Sequence, residues 1–375
     1  MIKRLPLFLI LFFLFAGCAP RHPITAPLKE PEPGAFFSSQ KRQVDEGVLI
    51  DSLRNMDFIL IGESHDNICD HQVQARVIEL MAMAGLEFVL GLEMVSVERQ
   101  EVLDVFNDGH IDIDLLPEML RWEEHWGYGF ELYRPIFSQA REFDIPVLAL
   151  NLPSHVTRSI SRYGLESLSP EERKFLPRKL IEPPEAQLEM LLDQFELHED
   201  LIQADQVKFR RFVSAQSAWD SKMASEAVKA RETMQKPVII LAGTGHVYRG
   251  WGIEHRLRLL APEARITRMI PVRSLEDISE DNPWHFFCPA SRERMRLGIV
   301  AEEKDGRVKV IGVVRDSLAM KAGLEKGDEI VRAGREDVSS LVDLHRAALK
   351  ALNDDHGLEL ELLRGPKTKV LVIDL

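Results

Sequence analysis

Four short apolar runs each end in a cluster of polar residues. They are Phe58-Ile59-Leu60-Ile61 before Gly62-Glu63-Ser64-His65, Phe88 to Leu92 before Glu93, Pro146 to Leu150 before Asn151, and Val238 to Leu241 before Gly243-Thr244-Gly245-His246. Runs of this length separated by helical stretches read as buried parallel strands. Between them, Val73, Val77, Leu80, Met81 and Ala84 recur at helical spacing and Gly85 ends the run, with Asp66 suited to the N-cap. Phe130 to Phe143 predicts a second helix, and Ala186 to Gln235 predicts two more. The alternation implies an α/β domain with a mostly parallel sheet flanked by helices over about residues 44–273, with Ile266 to Ile270 closing the sheet. In such sheets ligands bind beyond the carboxyl ends of the strands. Glu63, His65, Glu93, Asn151 and His246 should therefore converge on one rim.

From Met295 the pattern changes to short strands: Gly298 to Ala301, Val308 to Val314, Glu329 to Ala333, Leu358 to Leu363 and Lys369 to Leu375. Residues 274–294 read as a linker and residues 18–43, with Pro20, Pro23, Pro27, Pro31 and Pro33, as an extended tether. Residues 1–17 have a signal-peptide layout: Lys3 and Arg4, an apolar stretch from Leu5 to Phe15, then Ala16-Gly17 before Cys18. This resembles a bacterial lipobox with Cys18 as the lipidated residue. Ala19 favours the outer membrane by the same resemblance. Cys69 and Cys288 could pair in an oxidising compartment, but the expectation is two separate buried thiols.

The chain has 375 residues, 45% hydrophobic and 29% charged, enough for two domains. A formal net charge of −13 argues against nucleic acid as a partner.

A lone histidine at a strand end is ordinarily structural, but two His and two Glu at one rim point to a site, because buried charges there must be compensated. Glu63, His65, Glu93 and His246 form a borderline metal set suited to Zn, Fe or Mn. Without a metal, His65 could act as general base on a water with Glu93 orienting it, or the reverse.

Two resemblances sharpen these expectations. The segment Ser317 to Ile330, containing A-G-L-x-x-G-D-x-I, strongly resembles a bacterial-type PDZ domain, giving residues 295–375 that fold. Leu297-Gly298-Ile299 then matches the carboxylate-binding loop, the following strand would take a peptide by β-augmentation, and Leu341, Leu344 and Ala348 would favour an apolar C-terminal side chain. In the main domain, G-E-S-H-D at Gly62, G-L-E-M at Gly91, W-x-x-x-W-G-Y-x-x-x-x-Y-R-P-I from Trp122 to Ile136, A-L-N-x-P at Ala149, W-D-x-x-M-A at Trp219 and G-T-G-H-V-x-x-G-x-G-I at Gly243 resemble the ChaN-like haem-binding lipoproteins of the Tiki and erythromycin-esterase group. That resemblance implies non-covalent haem, a role in haem or iron uptake, and a homodimer with haem between subunits as one arrangement. Tyr248, Tyr133, Arg134 and His246 are the residues that could touch haem, the tyrosines as iron ligands and Arg134 on a propionate or a buried carboxylate. A periplasmic hydrolase using His65 and Glu93, or a PDZ scaffold with a vestigial site, are the alternatives.

Overall fold

In a computed structural model, residues 30–198, 206–290, 297–304, 306–315, 317–353 and 356–374 are described. The expected signal peptide, Cys18 and most of the expected tether lie outside them, as does part of the expected linker.

Eight strands form the main sheet: β1 (Phe36–Ser38), β2 (Gln43–Val44), β3 (Phe58–Glu63), β4 (Val89–Ser96), β5 (Val147–Asn151), β6 (Val238–Gly243), β7 (Ile266–Val272) and β8 (Trp284–Phe287). Their order is β2-β1-β8-β7-β3-β6-β4-β5. Pairing is parallel from β8 through β5, and β1 joins β8 and β2 antiparallel.

Each central strand is apolar on both faces because both are covered. Ile59, Ile61, Leu90, Leu92, Ile239 and Leu241 face one core with Val77 and Ile78 of helix Ile68–Met83 and Ile136 and Phe137 of helix Phe130–Glu142. Phe58, Leu60, Val89, Val238 and Ile240 face the other, against Met223, Ala224 and Ala227 of helix Gln206–Met234 and Leu257 of helix Ile253–Leu260.

Several expectations are corrected. Ile266 to Ile270 lies inside the sheet rather than closing it, because Trp284–Phe287 from the expected linker and Phe36–Ser38 from the expected tether extend it; His285, Phe286 and Phe287 are buried there. Asn67, not Asp66, caps helix Ile68–Met83, its Oδ1 accepting from the backbone N–H groups of Cys69 and Asp70. Cys69 and Cys288 form a disulfide, with Cα atoms 5.7 Å apart across a sequence separation of 219. The start of that helix and the end of β8 meet, a proximity created by β8 joining the sheet.

A second sheet contains β9 (Ile299–Lys304), β10 (Arg307–Val313), β11 (Glu329–Ala333), β12 (Glu336–Asp337), β13 (Leu358–Arg364) and β14 (Lys367–Ile373). The order is β14-β13-β11-β10-β9 with β12 on β11, antiparallel throughout. Val308, Val310, Ile330, Leu344, Leu358 and Leu360 belong to its own core.

Candidate functional site at the sheet rim

Parallel register delivers the rim residues. Glu63 lies level with Gly243 across β3 and β6, and Leu92 with Leu241 across β4 and β6, so Glu93 comes within one residue of that level, beside Ala242. A Cβ on Gly243 would lie 2.7 Å from Cε1 and 3.0 Å from Nε2 of His65, and 3.6 Å from Oε2 of Glu93. Only glycine leaves His65 room to lie across β6. Gly245, by contrast, has open space where its Cβ would be.

Two histidine–carboxylate groups result. In the first, Oε1 of Glu63 accepts from the Tyr133 hydroxyl at 2.8 Å and faces Nδ1 of His65 at 2.8 Å. Its Oε2 lies 3.2 Å from Nδ1 of His71, a charge contact without hydrogen-bond alignment. His71 also faces the Gln74 carbonyl oxygen from Nδ1 at 3.3 Å and the His65 carbonyl from Nε2 at 3.1 Å. Both ring nitrogens thus meet acceptors, which suits an imidazolium. Burial opposes that charge, but the close contact with charged Glu63, together with the other acceptors, holds the His71 pKa above its usual value. Burial likewise works to raise Glu63, yet the contacts with His65 and His71 and their charges outweigh it and lower it to about 2.

In the second group, Nδ1 of His246 lies 2.6 Å from Oδ1 of Asp220 and Nε2 lies 3.3 Å from Oε1 of Glu93. Oε2 of Glu93 accepts from the Gly243 N–H at 2.6 Å, and Asn151 donates to the Glu93 carbonyl at 2.8 Å. Asp220 is backed by Gln187 at 3.0 Å and fully buried Arg256 at 3.6 Å. Burial pulls His246 toward neutrality, but Glu93 and Asp220 raise its pKa to about 10. Glu93 is lowered despite burial, chiefly by the His246 charge.

Three carboxylates (Glu63, Glu93, Asp220) thus face three cations (His71, His246, Arg256), and the buried charges balance. Of the two histidines and two glutamates expected at the rim, only His65 reaches solvent appreciably, at 25% exposure, against 0% for Glu63, 4% for Glu93 and 9% for His246. Trp126 and Tyr128 flank His65 with ring centroids 4.8 and 5.1 Å away, and Trp219 lies 5.7 Å from His246. In the tautomer whose Nδ1 donates to Glu63, Nε2 of His65 carries the lone pair, a geometry suited to proton abstraction.

The divalent-ion alternative does not fit these donors. Among the described residues, no group of three or more His, Cys, Asp or Glu is arranged to hold a metal ion. Both His246 nitrogens face carboxylates, so neither lone pair is available.

The other expected ligands scatter. Tyr133 is buried and its hydroxyl serves Glu63; burial, then the Glu63 charge, push its pKa well up, so it is no phenolate. Arg134, one residue on and so turned about 100° around the helix, pairs with Asp114 and Glu131 at the surface. Tyr248 is half-buried outside the cluster, with Trp251 5.9 Å from its ring and the Arg249 guanidinium 5.3 Å over it. A cavity of about 530 Å³ beside Ile111, Asp112 and Arg141 includes none of these groups.

Sequence reasoning assigned no role to His71 or Asp220. The available signal for Asp220 was its place in the W-D-x-x-M-A segment at Trp219; buried Ser217, Ser221 and Lys222 on the same helix made its polarity alone uninformative.

A family described as haem-binding uptake, Tiki superfamily, ChaN matches residues 49–257, and the PDZ family matches residues 295–375. The solved structure of cofacial haem binding to ChaN of Campylobacter jejuni aligns with a TM-score of 0.55 at 20% identity, covering 67% of this chain and 95% of that one. An erythromycin esterase variant in its open conformation aligns at 12% identity and a TM-score of 0.37, covering 79% and 89%. The HtrA3 PDZ domain bound to a phage-derived ligand aligns at 19% identity and a TM-score of 0.19, covering 21% and 82%. No curated protein matches the chain. The first of these alignments shows a shared fold.

Proposed function

Because the chain belongs to the ChaN haem-binding uptake family of the Tiki superfamily, we propose that it is an envelope lipoprotein that binds haem non-covalently in haem or iron uptake, with its PDZ domain docking a peptide or protein partner. The observation that carries this reading is the family match across residues 49–257. Lipidation at Cys18 anchors the protein at the outer membrane, facing the periplasm. The Cys69–Cys288 disulfide supports an oxidising compartment.

Tyr248 is the residue that fits haem. Tyr248 is half-buried, Trp251 offers an aromatic ring beside it, and the Arg249 guanidinium lies over both rings, where a propionate would compete with Asp281, 3.0 Å from its Nε. Tyr248 would hold the haem through its phenol oxygen, and the bound haem would supply a ferric iron. Tyr133 stays with Glu63, and a homodimer with haem between subunits is compatible with this assignment. Titration with haemin, followed at the Soret band, is expected to saturate and to weaken in Tyr248→Phe but not in Tyr133→Phe. A titration that never saturates sinks the reading.

A second reading is favoured by one observation, the orientation of the solvent-reaching His65 by buried Glu63. In a periplasmic hydrolase, His65 would take a proton from water while Glu93, held by Gly243 and His246, fixes the charge balance around it. Turnover of an ester or peptide library, lost in His65→Ala and Glu93→Gln, would support it. Uniform inactivity would remove it.

A further inference from the structure

The second sheet ends on β9, whose outer edge pairs with no strand among the described residues. Gly298 leads into it at φ +76°, and a Cβ there would lie 2.1 Å from Cβ of Ser317, so only glycine fits. The Leu297 carbonyl is held by the Ala319 N–H at 2.8 Å.

Alternate residues of a strand share a face. On β9 these are Ile299, Ala301 and Glu303. Ile299 and Ala301 pack on the core that contains Leu344 and Ala348 of helix Leu341–Asn353. Oε2 of Glu303 accepts from the Leu341 N–H at the start of that helix, at 3.2 Å. The groove between β9 and the helix is therefore apolar toward Gly298 and acidic at its far end. Oε1 of Glu303 has no partner among the described residues, and the side chain is exposed.

A peptide whose carboxylate sits at Leu297–Ile299 and whose backbone pairs antiparallel with β9 sets its last residue opposite Ile299. Its third from the end then lies opposite Ala301 and its fifth opposite Glu303, all on the helix side. From this register we infer that the partner is a protein whose C-terminus ends in an apolar residue, is apolar again at the third position from the end, and carries Lys or Arg at the fifth, paired with Glu303. This rests on the PDZ-docking reading and names its partner class. The net charge of −13 adds long-range attraction for a basic tail.

The test is fluorescence polarisation of the full chain with labelled peptides that differ only at the fifth residue from the end: Lys, Gln or Glu. The Lys peptide is expected to bind roughly three- to tenfold more tightly than the Glu peptide, as an exposed pair exchanged for a repulsion should give, with the gap shrinking in high salt. In Glu303→Gln the gap should close to within about twofold. Should that variant weaken every peptide alike through the lost bond to Leu341, the ranking and its salt dependence in the unaltered chain decide. Equal binding of the Lys and Glu peptides overturns this inference while leaving peptide docking intact. Binding by none of them removes the docking reading and the inference together.

Discussion

Nδ1 of His246 lies 2.6 Å from Oδ1 of Asp220, and the two residues reach each other from different elements, the turn after β6 and the long helix Gln206–Met234. Neither alone would be stable as a buried charge. The pair, extended by Glu93 and Arg256, fixes the imidazole at the sheet rim.

This pairing sets a pH dependence of stability. His246 is raised from 6.5 to about 10, so its contribution is complete below about 6.5 and lost as pH rises through 10. Glu63, lowered from 4.5 to about 2, contributes fully above 4.5 and loses this as pH falls toward 2. His285 is buried with Nδ1 unpartnered, and burial, then Arg268, lower it to about 4, so acid also costs stability from 6.5 downward. The melting temperature should peak near pH 6.5 and decline on both sides. In Asp220→Asn the alkaline decline should flatten, with a loss of about 3–5 kcal/mol at neutral pH by denaturant titration. An unchanged alkaline limb would remove Asp220 from this role.

Gly243 and Gly245 make a matched pair. Gly243→Ala drives a methyl group into the His65 ring and should cost about 1–3 kcal/mol. Gly245→Ala meets open space and should stay within about 0.5 kcal/mol of the unaltered chain. Urea denaturation of the two variants checks this, and equal effects would place His65 elsewhere.

The disulfide closes a loop with a sequence separation of 219. Chain-entropy arguments give about 5 kcal/mol for a loop of this length. Cys69→Ser with Cys288→Ser should lower the denaturation midpoint accordingly. A midpoint unchanged in non-reducing buffer would mean the bridge adds nothing.

Much of this was legible in the sequence. The four apolar runs are strands, and because parallel strands keep their ends level, Glu63, Glu93 and His246 could be brought to one rim with His65 from residue order alone. Their partners were not legible. His71 and Asp220 come from helices that bury further polar residues, Asp70 and Gln74 on one and Ser217, Ser221 and Lys222 on the other, so polarity on those faces did not single them out. Trp284–Phe287 was hidden by flanking Pro283 and Asp281, which read as linker, although its aromatics join β1 and β7. Missing that strand also hid the disulfide, since Cys288 follows it directly. The surface position of Arg134 was not legible because sequence adjacency to Tyr133 says nothing about which helix face a side chain takes.

The claim that matters most is that this chain carries haem. Protein purified from its native envelope should show a Soret band and bound iron, and stripped protein should regain the band on adding haemin. Native protein with neither band nor iron, which also fails to take up haemin after purification, would contradict it.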